Sequence, residues 1–133
     1  MTRTKITECD IRKTCFEEIN KNYSWGIYYN KNVIVMKKNG YVNATKFIAS
    51  IGRDEDVGQW LADDYGLELL DALSNEVGLH KNKLTTNIES KSNPDLDGIY
   101  VHQDILAIMT MMIDPVFCYR ASKIINKKLY NQN

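Results

Sequence analysis

Gly40-Tyr41-Val42-Asn43-Ala44-Thr45-Lys46-Phe47 packs the densest set of local structure signals in the chain into eight residues. It reads as a turn, a short strand and a capped helix in succession. Asn39-Gly40 before it is a strong hairpin signal, because a type I′ turn needs positive φ at both central positions. That turn joins a strand over 33–38 to Tyr41-Val42. Asn43 is expected to cap a helix over 44–51, with Gly52 closing it. Phe47, Ile48 and Ile51 then pack inward, and Ala44 is small where strand meets helix. Lys46 and Arg53 are left to face outward, where they can hold phosphate.

On the N-terminal side, 33–36 and 25–29 are rich in β-branched and aromatic residues and read as strands. Asp10 followed by Ile11, Cys15 and Ile19 at helical spacing predicts a short helix over 11–20. Residues 1–20 are accordingly read as a leader with a short helix, and 21–130 as the domain. Toward the C-terminus, a short helix should carry Val57, Trp60 and Leu61, with Trp60 as a core anchor. A third should run over 67–77, with Leu67, Leu70, Leu73 and Val77 on one face and Gly78 ending it. The segment 84–88 reads as a strand, 89–97 as a polar loop containing Asn93-Pro94, and 98–102 as the returning strand. Together they form a β-hairpin with a long tip, a wing. The run 105–113 is apolar nearly all round, so its helix should be central. Asp114-Pro115 starts a last helix. There Phe117, Ala121, Ile124, Ile125 and Leu129 are expected to face the core, and Arg120, Lys123 and Lys127 to form a basic stripe.

The chain has 133 residues, one domain by size and long enough to bury a core without metal or disulfides. Seventeen basic and 17 acidic side chains give a formal net charge of zero, which argues against a strong nonspecific nucleic-acid binder. The charges are unevenly spread. Segments 1–53 and 116–133 are basic on balance, whereas 54–76 holds eight carboxylates and no Lys or Arg. Cys9, Cys15 and Cys118 cannot all pair within one chain and have no Cys-x-x-Cys spacing, which predicts reduced thiols. The polar start predicts no signal peptide, and no apolar run reaches membrane-spanning length.

Chemistry-bearing motifs are few. His80 and His102 have no Cys or carboxylate pattern of a zinc site around them. Asp54/Asp56 and Asp63/Asp64 read as a solvated acidic face rather than as metal ligands or general acids. There is no Gly-rich phosphate loop, nucleophile elbow or His-Glu-x-x-His helix, so neither enzyme activity nor a cofactor or metal is expected. The best functional candidate is the segment 81–93. Lys81, Lys83 and Lys91 supply point charges for phosphates, and Asn82 and Asn87 can read an adenine edge. Solvated loops also contain such residues for no reason beyond solubility.

The tract Val42-Asn43-Ala44-Thr45, taken with Gly98-Ile99-Tyr100-Val101-His102, resembles the KilA-N domain of large DNA viruses and bacteriophages. It is similar also to the APSES DNA-binding domains of fungal cell-cycle transcription factors. The run Leu73-Ser74-Asn75-Glu76-Val77-Gly78, then Lys83-Leu84-Thr85, looks like the KilA-N half of poxvirus virulence factors that continue into a RING ubiquitin-ligase domain. The RING cysteines are absent here, so the resemblance implies no ligase activity. It does imply an α+β, winged-helix-like fold with a small antiparallel sheet, and a non-catalytic DNA-binding module. The implied partner is double-stranded DNA, with RNA as an alternative, and the implied location is the host-cell cytoplasm, with the nucleus as a second compartment. Phosphate contacts would come from Lys81, Lys83 and Lys91 on the wing and from Lys46 and Arg53 beside the first helix, with Asn82 and Asn87 as base readers. The family is often basic after Trp60, whereas this chain reads Leu61-Ala62-Asp63-Asp64-Tyr65. The competing reading is a protein-interaction module, either an adaptor or a truncated relative of the viral RING ubiquitin ligases, acting by binding a host or viral partner. The acidic face and the neutral net charge favour it.

Overall fold

A computed structural model describes residues 9–131. Six strands form one antiparallel sheet: β1 (Glu17–Glu18), β2 (Tyr23–Tyr28), β3 (Lys31–Met36), β4 (Val42–Asn43), β5 (Thr85–Ile88) and β6 (Gly98–Val101), in the order β1-β2-β3-β4-β6-β5. Five α-helices accompany them: α1 (Ala44–Ser50), α2 (Val57–Ala62), α3 (Asp64–Val77), α4 (Gln103–Ile113) and α5 (Pro115–Tyr130). This is the α+β arrangement expected from the sequence, and the β5–β6 hairpin is its wing.

The centre of the sheet is covered on both faces. Strand β3 buries four consecutive residues, Val33 to Met36, and the pleat sends them alternately to the two sides. Val33, Val35, Val42 and Val101 pack with Phe47 and Ile48 of α1 and with Ile105, Leu106 and Met109 of α4. Ile34 and Met36 pack with Tyr41, Tyr100 and Leu96, the last supplied by the wing's own loop. That loop therefore folds back over the sheet, so its backbone course is set by burial as well as by turn chemistry. The apolar 105–113 run is central as its composition required, with Ile105 and Leu106 fully buried.

Three local readings are corrected. The helix expected over 11–20 is only a 3-10 turn, Ile11–Thr14, followed by β1. Asp10 does cap it, accepting from Arg12 N at 2.9 Å, but Arg12 and Asp10 also pair side chain to side chain at 2.7 Å. Ile11 is drawn into the core, and its backbone N–H donates to Gln103 Oε1 at 2.8 Å. Beyond Cys15 the chain gains more by pairing with β2 than by continuing a helix, with Glu17 opposite Trp25.

The second correction concerns turns. The type I′-like turn is Tyr29-Asn30, with φ of 51° and 61°, which joins Tyr28 to Lys31. At Asn39-Gly40 only Gly40 has positive φ, at 78°, and a four-residue loop closes through Gly40 N to Met36 O at 2.9 Å. The β3–β4 hairpin forms as expected, with Val35 opposite Val42, but through a different turn.

The third concerns α5. It leaves α4 at 118°, so only its first turns reach the body. Phe117 is half-buried, its ring 4.8 Å from Tyr29 and 6.3 Å from Tyr28, and Arg120 donates to the Tyr29 hydroxyl at 3.0 Å. Ala121 is half-buried too, but Ile124, Ile125 and Leu129 are exposed rather than in the core. Helical periodicity correctly found an apolar stripe, but it carries no information on whether the chain supplies a surface to cover it. Among the described residues no single helix is long and apolar enough to cross a membrane.

Candidate nucleic-acid interface

The wing is fixed at its root and open at its sides. Asn43 is fully buried; its Oδ1 accepts from Lys46 N at 3.0 Å, capping α1, and its Nδ2 donates to Asp97 O at 2.9 Å. Thr45 Oγ1 accepts from Ile99 N at 3.0 Å. The Tyr41 hydroxyl donates to Lys83 O at 2.7 Å. One eight-residue motif thus holds both strands of the hairpin. Within the wing loop, Ser90 N donates to Asp97 Oδ1 at 2.6 Å, and Asn93 N to Ser90 Oγ at 3.0 Å. The loop is internally hydrogen-bonded.

The residues expected to contact nucleic acid fall into three places. Lys81, Asn82 and Lys83 form a 3-10 turn ahead of β5, at the root of the wing rather than its tip. Lys81 pairs with Asp71 of α3 at 3.3 Å, and the Asn82 amide is held by His80 at 2.8 Å. Asn87 on β5 and Lys91 in the loop share a groove with Asp54, Glu55, Asp56, Glu89 and Asp97. That wall is acidic, so it opposes phosphate on the side where Asn87 lies. Lys46 is exposed on α1 and lines a separate cleft with Trp25, Asn93 and Asp95. Arg53 is half-buried after α1, its backbone N–H bonded to Ile48 O at 3.1 Å. Lys46, Lys83 and Lys91 have no ion pair among the described residues.

A fourth place escaped the sequence reading. Lys21, Lys37 and Lys38 line a groove with Tyr23, Met36, Thr86 and Ile88. Lys37 pairs with Glu18, and Lys37 N donates to Asn22 O at 2.9 Å, which ties the two chain segments together. The signal available in sequence was Lys37-Lys38 beside the Asn39-Gly40 turn; what was missing was the strand register that brings Lys21 and β5 to it.

Other chemistry is thin. Trp60 is half-buried against the core cluster that includes Phe47 and Ile105, with Tyr65 edge-on at 5.9 Å, so the expected core anchor packs at the margin of the core. His102 caps α4, its Nδ1 accepting from Asp104 N at 3.1 Å. Burial pushes the Tyr28 hydroxyl up to about 12 and raises those of Tyr23, Tyr41 and Tyr100. The Cys15 thiol is raised by burial first and by Asp10 second, which makes it less reactive. Among the described residues no group of His, Cys, Asp or Glu could hold a metal ion.

The family model for the KilA-N domain matches residues 26–131. A protein of Acanthamoeba polyphaga mimivirus named for its KilA-N domain is 32% identical over 128 residues, covering 96% of this chain and 37% of that protein. A second mimivirus protein named in the same way is 35% identical over 128 residues, covering 92% and 36%. An uncharacterized protein of fowlpox virus is 29% identical over 113 residues, covering 83% of this chain and 74% of that one. The chain thus spans little more than a third of the mimivirus relatives. No solved structure matches. KilA-N domains are generally nucleic-acid-binding modules of viral proteins and are not known as catalysts. The motif that pins the wing, the antiparallel sheet behind it and these matches together place the chain in the KilA-N family, as a KilA-N protein of a large DNA virus.

Proposed function

We propose that this domain is a non-catalytic module that binds duplex DNA through the wing and the adjoining end of α1. Membership of a generally nucleic-acid-binding family supports the class. The observation that carries the surface is the pair of exposed lysines Lys46 and Lys83, which have no ion pair among the described residues, around a hairpin anchored by Asn43, Thr45 and Tyr41; Lys91, in the acidic groove, contributes less. A rigid platform holding unneutralised cations is what phosphate contact requires. Lys81 contributes less, because Asp71 already satisfies it. Asn87, beside Asp54, Glu55 and Asp56, meets base edges rather than backbone, since carboxylates repel phosphate but accept from exocyclic amino groups.

The test is a titration with duplex DNA at several salt concentrations. Log affinity should fall linearly with log salt, by about 0.9 per phosphate neutralised. No binding at low salt would remove the DNA reading.

One observation favours a second reading, a protein-interaction role. The outer half of α5 exposes Ile124, Ile125, Leu129 and Tyr130 beside Lys123, Lys127 and Lys128. Such a stripe is an interaction surface in many proteins. An α5 variant that keeps DNA affinity but loses a bound viral or host protein would assign the helix to that role.

A further inference from the structure

We propose that the lysine groove formed by Lys21, Lys37 and Lys38 at the open end of the β2–β3 hairpin, closed on its far side by Thr86 and Ile88 of the wing, is a second phosphate-binding track for the same DNA. The inference rests on the DNA-binding reading above and extends it to a surface outside 81–93 and α1.

Sign of charge comes first. Three of the lining side chains are lysines and none is a carboxylate; Lys37 is already paired with Glu18 beside the groove, so Lys21 and Lys38 carry its net positive charge. On the other side of the wing, the groove holding Asn87 has Lys91 against Asp54, Glu55, Asp56, Glu89 and Asp97. A polyanion is drawn to the first and repelled by the second.

The arrangement is built rather than accidental. Tyr23 lies opposite Met36, and the Lys37 N–H to Asn22 O bond extends that register by one residue. Lys21-Asn22 and Lys37-Lys38 are therefore neighbours across the end of a hydrogen-bonded sheet. Lys37 is positioned by Glu18, its side chain only 15% exposed. Lys21 and Lys38 are exposed at either flank. The floor is apolar, made by Met36, Ile88 and Tyr23, whose ring lies 5.5 Å from that of Tyr100. An apolar floor excludes water and strengthens each charge–charge contact above it.

Strand alternation explains why the wing can serve two chemistries. Thr86 lies on the lysine side of β5 and Asn87 on the opposite side, with Ile88 at the edge of both grooves. The duplex then lies with its backbone along the lysine groove, and the acidic wall faces away from it or toward base edges.

Lys21→Ala/Lys38→Ala tests the groove while leaving the Lys37–Glu18 pair intact, and Lys83→Ala/Lys91→Ala serves as the comparison. Each is titrated with a labelled duplex from low to moderate salt, and inorganic phosphate is added as a competitor. The groove variant should lower the log–log salt slope, by at most about 1.8 for two phosphates at about 0.9 each, equally for unrelated sequences. Millimolar inorganic phosphate at constant ionic strength should leave DNA binding unchanged, as expected for a track that needs a continuous backbone. Parent binding with an unchanged slope in the groove variant overturns the groove and leaves the DNA reading standing. No parent binding at low salt overturns both. Competition by phosphate at constant ionic strength would make the groove a site for the free anion and overturn the track. A charge-reversed pair, Lys21→Glu/Lys38→Glu, whose melting temperature can be compared with the parent's, guards against a folding artefact and should abolish binding.

Discussion

Asn43 and Gly98 fit together so closely that neither position accepts a larger or different side chain. The Asn43 amide caps α1 and donates to Asp97 O at 2.9 Å, and a Cβ built on Gly98 would collide with that amide. Gly98 also has φ of 145°, which L side chains rarely adopt. The two halves of the family signature, more than fifty residues apart in the chain, are one structural unit. The signature therefore reports how the wing is attached to the first helix, and is not itself a contact surface.

Asn43→Ala should consequently cost more than an exposed cap. It removes the cap and leaves the partly buried Asp97 carbonyl without its partner, for a total of about 2–3 kcal/mol. Gly98→Ala should destabilise by a similar amount, through collision and backbone strain. Urea unfolding of both variants checks this. A loss below about 1 kcal/mol in either would show that the wing root can relax around the change.

Lys81 and Asp71 join the wing root to the acidic helix α3 at 3.3 Å, with both side chains more than half exposed. A double-mutant cycle of Lys81→Ala and Asp71→Ala should give a coupling of no more than about 1 kcal/mol, reduced further by salt. The same cycle read by DNA affinity is more informative. Asp71→Ala should strengthen binding by releasing Lys81 for phosphate, and that gain should vanish in the double variant.

Much of this fold was legible because it rests on local chemistry. Asn43 as a cap, Gly78 as a helix end and Asp114-Pro115 as a helix start are dictated within a few residues, and all hold. The apolar 105–113 run announced its burial by having no polar face. What failed depended on distant partners. Ile11, Cys15 and Ile19 have helical spacing, but β2 offers backbone pairing that a sequence pattern cannot weigh. Tyr29-Asn30 makes the tight turn although bulky Tyr seldom takes positive φ, because the flanking six-residue strands pair along their whole length. The wing lysines were found by composition, whereas the Lys21–Lys38 groove exists only through strand register.

Four tyrosine hydroxyls with raised pKa give the domain an alkaline limit. Tyr28 is pushed up to about 12, mainly by burial, with Asp104 adding to it. An unfolded tyrosine ionises near 10, so between roughly 10 and 12 the folded state holds protons that the unfolded state has lost. The tyrosines' contribution is complete below about pH 10 and is lost as pH rises through the folded value. The tyrosines' share should hold to about pH 9.5 and then fall, on top of an earlier, separate loss from the raised Cys15 thiol. Tyr28→Phe should remove part of that fall, because it keeps the ring contacts with Phe47 at 5.2 Å and Phe117 at 6.3 Å but has no proton to lose. Thermal melts of parent and variant across this range test it; identical profiles would assign the alkaline limit to the other tyrosines.

The outer half of α5 allows a separation of stability from association. Ile124 is 72% exposed and Leu129 58%, so replacing them removes little buried surface. Ile124→Glu/Leu129→Glu should shift folding stability by no more than about 0.5 kcal/mol, the usual range for surface changes. The Phe117 anchor gives the contrast: Phe117→Ala should cost about 2–3 kcal/mol by releasing the helix from Tyr28 and Tyr29. If the exposed stripe is a partner surface, the double glutamate variant melts like the parent and binds DNA with an equal or slightly weaker affinity. It should also lose any concentration-dependent increase in apparent mass seen by light scattering or sedimentation. A variant that melts many degrees lower instead would mean that Ile124 and Leu129 are covered in solution, and that α5 folds back on the body instead of leaving α4 at 118°.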